Sequence, residues 1–409
     1  MRYRENFIGA LEGAVEITLL NKNVSPATGF LAKDPRLFLP RYTGDEEREN
    51  AFRIYDAFAY GLEKLIRESR VAENVRRFPV PTWPVDDLSW RTQNRLKLIL
   101  SMGLHAYLRE LCPYANQDEL MRDTREKPVL AQLAVPLWNL KNTLGAELPM
   151  SYFYYAGCNY YILDTKRPIS LENIDVIHTF TGSGDEKWFM KIHQVIDFTI
   201  APAIPELAVA AALSGFKNFW EDPVFVERIT RAMENSLGPV SAITGILARM
   251  DEQCDPHTYF SQVRGFYGIP LNLLFEGIEE LRGKPLTLFG ETGGQDPSIH
   301  FLKKALSFDI SQDSYFPKMQ LYMPKCFRDV LQLNSQLRDF AVWHAEHGDE
   351  RPKILYNGLI KGLDYFETEH LEREVRRYIR DFGDSHGTGK PPTLWLEKIR
   401  EHTRSHYIV

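Results

Sequence analysis

Three kinds of side chain in this sequence could do chemistry if the fold brought them together. His370 lies within Leu363 to Phe382, a stretch with no proline or glycine, rich in Glu, Arg and Leu and followed by Gly383, which predicts a single helix. At about 100° per residue, Leu363 and Phe366 fall on the side of His370, and Leu371, Val375, Tyr378 and Phe382 continue the apolar stripe round the helix. A neutral imidazole there could give one ring nitrogen to an interior metal while a second acceptor holds the other. On this helix alone, a satisfied core or boundary histidine is the better reading. His193 shares a predicted helical face with Phe189, Ile192, Ile196 and Ile200, so it is either an active-site group over a cofactor or another satisfied core histidine. Arg264 is embedded in Tyr259-Phe-Ser-Gln-Val-Arg264-Gly-Phe-Tyr267. A guanidinium among aromatics needs an anion, either a protein carboxylate or a carboxylate carried by a ligand or cofactor.

Two further groups are weaker. In Gly290-Glu-Thr-Gly-Gly-Gln295 the adjacent Gly293 and Gly294 permit close approach of backbone to a flat ligand, but no strand and helix flank the loop as a dinucleotide site requires. His344 and His347 share a helix face, yet HAEHGDERPK is charged throughout and reads as a solvated helix end.

The elements that must position these groups are helical. Apolar residues recur at helical spacing in Glu46 to Arg70, Trp90 to Leu111, Asp185 to Ile200, Ile204 to Phe219, Pro223 to Asn235, Pro239 to Gln253, His257 to Phe266, Ser298 to Phe308, Lys325 to His347 and Lys353 to Phe382. Pro26, Pro35 and Pro40 predict an extended arm up to about Pro40, and strand signals are scarce. The expected class is all-α. A polar stretch near Lys166 to Asn173 suggests a small N-terminal helical domain, 1–165, and a larger helical bundle, 166–409.

With 409 residues, 44% of them hydrophobic, the chain can bury a large core. A net charge of -6 without a run of Lys and Arg gives no reason to expect nucleic acid. The most apolar stretch, Val195 to Phe216, carries Asp197, Pro202, Pro205 and Glu206, so no membrane span is expected. Glu12 and Glu16 interrupt what would have to be a signal core, and Cys112, Cys158, Cys254 and Cys326 lack metal-site spacing. Reduced thiols in a soluble, cytoplasmic protein, monomeric or a small homo-oligomer, are the expectation.

Taken in order, the segments resemble the indoleamine 2,3-dioxygenase superfamily of haem enzymes. The resemblance is carried by Pro168-Ile-Ser-Leu-Glu-Asn-Ile-Asp-Val176 with Phe180 and Lys187-x-Phe189, then Tyr259-Phe-Ser-x-x-Arg264, Phe275-Glu-Gly277 and Gly290-x-Thr-Gly-Gly-Gln295. Tyr322-Met-Pro324 with Arg328, Tyr356 upstream of His370, and Gly387-Thr-Gly389 follow. The likeness implies a helical bundle enclosing haem b, with His370 as the proximal iron ligand and dioxygen as co-substrate. It implies that Arg264 takes the carboxylate of an indole substrate, that Tyr155, Cys158, Phe189 and Tyr259 line the distal pocket, and that the Gly293-Gly294 loop and Thr388 close over the ligands.

Three positions depart from the family pattern. His193 stands where a serine is usual, Glu367 where a basic residue is common, and the tail reads Gly-Thr-Gly-Lys-Pro-Pro. The implied reaction is cleavage of the indole C2–C3 bond of L-tryptophan or a relative to an N-formylkynurenine-type product, with His193 as base or indole N–H acceptor. Insertion of one oxygen, ring rearrangement, or haem binding without turnover are the alternatives.

Overall fold

The computed structural model describes residues 2–114, 117–311, 315–382 and 392–409. Its long helices are α1 (Arg2–Asn21), α2 (Glu46–Arg67), α3 (Trp90–Leu111), α4 (Ala131–Leu144), α5 (Gly184–Ile200), α6 (Ala203–Ser214), α7 (Pro223–Leu247), α8 (Pro297–Ala305), α9 (Leu337–Glu346), α10 (Arg351–Glu369) and α11 (Pro392–Arg404). Strand is confined to two small pairs. β1 (Lys127–Val129) runs parallel to β4 (Leu273–Phe275), and β2 (Tyr160–Ile162) is antiparallel to β3 (Ile174–Val176) with Tyr161 opposite Asp175. The class is all-α, as the periodicity predicts.

Several elements differ from expectation, among them the predicted helix Lys325 to His347, which is broken into Lys325–Val330 and Leu337–Glu346. The predicted N-terminal arm begins as α1, because Ile8, Leu11, Val15 and Leu19 make one apolar face packed on the core, and the prolines fall beyond its end. α1 packs against α6 and α7. Pro239 lies inside α7 rather than starting a new helix, because tertiary packing holds the chain helical on both sides of it. Pro136 is likewise inside α4. The segment 257–266, predicted as one helix, tightens and widens in turn: a π-helical turn, Tyr259–Val263, leads into a 3₁₀ turn, Arg264–Phe266.

The same happens at the carboxyl end. α10 stops at Glu369 and a π-helical turn, His370–Val375, takes over. A third lies at Phe153–Gly157. The turns at 259–263 and 370–375 line the cavity described below, and the third follows directly on Tyr152, which lines it; such turns are frequent at functional sites.

α10 is seated by its contact with α7. A Cβ on Gly358 would come within 2.7 Å of Leu237, and one on Gly362 within 3.0 Å of Val240, so this glycine pair one turn apart lets the two helices approach closely. The polar stretch expected to divide the chain at 165/166 is the loop of the β2–β3 hairpin, closed by Asn173, whose amide donates to the carbonyls of Asp164 (3.0 Å) and Pro168 (2.9 Å). A single apolar cluster contains residues from both sides of it, such as Phe52, Leu133, Ile204 and Leu359.

Among the described residues no single helix is long and apolar enough to cross a membrane. α5 and α6 pass that test only as a pair, bent by 45° at their junction, and most of their residues are buried in the core.

Candidate active site

α5 presents its functional face because its start is fixed twice. The Ser183 hydroxyl accepts from the Glu186 N–H (3.1 Å), and the buried Glu186 carboxylate accepts from the N–H groups of Phe180 (2.9 Å) and Thr181 (2.8 Å). One and two turns later, Phe189, His193 and Ile196 line a cavity whose empty volume, counted to its open mouth, is ≈ 1360 Å³. Its other walls come from Tyr259, Arg264 and Tyr267, the loop 291–294, α8, the end of α10 and the His370 turn. α11 closes one side with Trp395, Leu396 and Ile399.

His193 and His370 face the same cavity and converge on one carboxylate. His370 Nε2 is 3.0 Å from Glu374 Oε2, and His193 Nε2 is 3.9 Å from Glu374 Oε1. Burial alone would lower the basicity of His370, but the adjacent Glu374 and nearby Glu367 raise it overall. Burial opposes ionisation of Glu374, yet the two imidazoles hold its pKa below the ordinary value. Glu374 Oε1 has no hydrogen-bond partner among the described residues. His193 Nδ1 is 2.8 Å from the Phe189 carbonyl, so as the N–H tautomer it donates there and leaves Nε2 as a lone-pair acceptor toward the cavity.

An aromatic wall stands beside His193. Phe189 lies 4.5 Å from the His193 ring and 4.6 Å from Tyr259, with Tyr267 6.0 Å from both Phe189 and Tyr259. Arg264 is buried next to this wall, and Glu291 shares the cavity with it. Burial pushes the Glu291 carboxyl up to about 8, the Arg264 charge pulling the other way and Glu374 adding to the rise. On α8, Lys303 Nζ lies 2.6 Å from Glu367 and donates to Thr403 (2.9 Å). Asp296, which caps α8, is paired with Asp197; burial raises both carboxyls, and Tyr152 donates to Asp197 at 2.9 Å.

The cavity therefore gathers His193, Phe189, Tyr259, Arg264, Gly293, Gly294 and His370. Gly293 has room around it, whereas a Cβ on Gly294 would meet the Tyr315 hydroxyl at 2.6 Å.

Two expected pocket residues lie elsewhere. Tyr155 is one layer back, its hydroxyl bonded to that of Tyr267. Cys158 points away, into a separate cleft with Asn23, Arg91 and Arg95, and burial pushes its thiol up to about 12. Tyr152, which precedes the π-helical turn at 153–157, reaches the cavity instead. Thr388 and its flanking glycines lie outside the described residues.

Sequence reasoning missed Glu374, Glu291, Lys303 and the Asp197–Asp296 pair. Glu374 had a signal, since it sits one turn after His370 on the same face. His344 is 3.8 Å from Asp349 and His347 stacks on Trp343, a helix end as expected. Among the described residues no cluster of three His, Cys, Asp or Glu is arranged to hold a bare metal ion.

Helices enclosing one deep cavity, with two imidazoles converging across it and a guanidinium in its wall, define a helical protein built around a large ligand or cofactor. The indoleamine 2,3-dioxygenase family model matches residues 20–387, and the chain belongs to that family. It is 27% identical to indoleamine 2,3-dioxygenase 1 of Rattus norvegicus over 342 residues, covering 80% of this chain and 78% of the relative. It is 24% identical to 6-hydroxytryptophan 2,3-dioxygenase fscD of Fusarium equiseti over 373 residues, covering 87% and 84%. A protein named myoglobin from Haliotis diversicolor is also similar, 22% identical over 412 residues, 95% of this chain and 98% of that one.

Proposed function

We propose that this chain is a haem-dependent dioxygenase that opens the C2–C3 bond of an indole, with L-tryptophan or a ring-substituted relative as substrate. The observation that carries the proposal is the convergence of His193 and His370 on one cavity, with Arg264 in its wall, in a chain of this family.

The residues present fit an iron porphyrin. His370 Nε2 opens into the cavity, and it meets an ionised carboxylate with one unsatisfied oxygen, a place where positive charge is favoured. A porphyrin brings most of its iron's ligands with it, so one protein imidazole such as His370 suffices to hold it. Lys303 offers the buried cation that Glu367 does not, next to where a propionate could share it. When bound, haem supplies the dioxygen chemistry that protein side chains lack.

This chain's own residues do the rest. Phe189, Tyr259 and Tyr267 receive the indole and exclude water. Arg264 pairs with the substrate carboxylate and fixes its orientation. His193 Nε2, with Nδ1–H committed to the Phe189 carbonyl, accepts the indole N–H. The unpaired thiols support a reducing, cytoplasmic setting.

The relative named myoglobin gives a second reading, a haem protein without turnover. One experiment separates them. Haem-loaded, reduced protein is given L-tryptophan and isotopically labelled dioxygen, and uptake and product mass are recorded. The dioxygenase incorporates both labelled atoms. A haem spectrum without tryptophan-dependent uptake favours the second reading, and a single labelled atom points to oxygen insertion.

A further inference from the structure

We propose that Glu291 is the ammonium-recognising partner of Arg264, so that together they select an α-amino acid in its zwitterionic form. The inference deepens the indole reading above and rests on it.

The backbone that carries Glu291 is rigidly placed. Its N–H donates to the Tyr267 carbonyl (3.1 Å). The fully buried Gln295 ties the loop from both sides, its amide donating to the Gly290 carbonyl (3.0 Å) while its oxygen accepts from the N–H groups of Thr292 (3.3 Å) and Tyr152 (3.1 Å). A side chain on such a loop is aimed rather than free to turn away, and it lines the cavity.

What Glu291 lacks is a donor. Nearby buried carboxylates have donors: Glu186 accepts from Phe180, Thr181 and Tyr155, Asp197 from Tyr152 and Ser298, and Glu374 meets His370 through one oxygen while its other oxygen is unpaired. Among the described residues no hydrogen bond reaches the Glu291 carboxyl. A carboxyl so buried and so poorly supplied costs stability unless a ligand completes it. The charged groups that act on it are Arg264, which favours its ionised form, and Glu374, which opposes it.

The chemistry of the missing donor follows from the neighbour. An α-amino acid carries its carboxylate and ammonium on one carbon, so the groups that bind them must adjoin, and a guanidinium next to a carboxyl in one cavity meets that requirement. The competing explanation is that Glu291 merely balances Arg264. In that case it would compete with a ligand carboxylate, and removing its charge would tighten binding of every carboxylate-bearing ligand.

The test measures calorimetric affinities of haem-loaded wild type and Glu291→Gln for L-tryptophan, tryptamine, which lacks the carboxylate, and indole-3-propionate, which lacks the ammonium. The expected result is a loss of about tenfold or more for tryptophan and tryptamine, with indole-3-propionate changed by less than about twofold. Glu291→Asp, which keeps the charge, should retain the preference for ammonium-bearing ligands. Equal weakening of all three ligands, no change in any, or tighter indole-3-propionate with tryptophan unaffected would each overturn the assignment. Wild-type protein that binds none of the three overturns the indole reading itself, and is thereby distinguishable from failure of Glu291 alone.

Discussion

His105, fully buried, and His370, half-buried at the cavity, both lie on helical segments rich in apolar residues, and they differ in what their ring nitrogens meet. On α3, His105 Nδ1 lies 2.7 Å from the Phe266 carbonyl and Nε2 accepts from the Met150 N–H at 3.4 Å, so both nitrogens are closed by backbone. Burial lowers its pKa to about 4, the bond to Phe266 offsetting part of the shift, and it stays neutral. Two turns earlier on the same helix, Lys97 is equally closed, donating to the carbonyls of Ala146 (2.8 Å) and Glu147 (3.0 Å). Around the cavity the account does not close: His370 and His193 share a carboxylate with an oxygen to spare, and Glu291 has no donor. The closed groups of α3 hold the fold together, whereas the open ones at Glu374 and Glu291 face a cavity that a ligand can enter.

The comparison breaks if the two histidines respond alike to deletion. His370→Ala should abolish the haem absorbance that survives gel filtration while leaving the helical content intact. His105→Ala should do the reverse, lowering unfolding free energy by about 3 kcal/mol through a cavity and two orphaned backbone groups, with haem per folded molecule unchanged. Denaturant titration and absorbance on the same samples decide between these patterns.

Arg264→Ala sharpens the ligand side of the contrast. It should weaken L-tryptophan binding by about 2 to 5 kcal/mol, read by calorimetry, as expected for loss of one member of a buried charge pair. An unchanged affinity would remove Arg264 from carboxylate binding. A smaller effect is expected at His193. His193→Ala should retain haem and erase the preference for tryptophan over its N-methyl analogue, a difference of about 1 kcal/mol for one hydrogen bond.

A further effect is on pH dependence. Glu291 is held at about 8 in the folded, ligand-free chain against an ordinary 4.5, so the folded state retains the proton more tightly than the unfolded state. That contribution is complete below the unfolded value and is lost as pH rises through about 8. Urea midpoints of ligand-free protein between about pH 6 and pH 9 should therefore fall more in wild type than in Glu291→Gln. Parallel profiles would show that Glu291 does not titrate in this range.

The sequence made the two histidine faces legible because period and stripe survive in α5 and at the end of α10. It also exposed Arg264, since a guanidinium among aromatics is conspicuous. It could not show that Glu374 bridges both imidazoles, because that depends on α5 and the His370 turn meeting across the cavity from distant parts of the chain. Nor could it show the π-helical turns, or that Tyr155, expected at the pocket from the family resemblance, lies behind Tyr267. The N-terminal helix escaped because the prolines that follow it dominated a weak amphipathic signal.

The most direct test is a crystal structure of the haem-loaded protein with an indole ligand bound. The account predicts a porphyrin between the two imidazoles, its iron on His370 Nε2 in place of the Glu374 contact, and the indole on the His193 side near Arg264. A porphyrin bound elsewhere, or one with His193 and His370 on the same face, would contradict it.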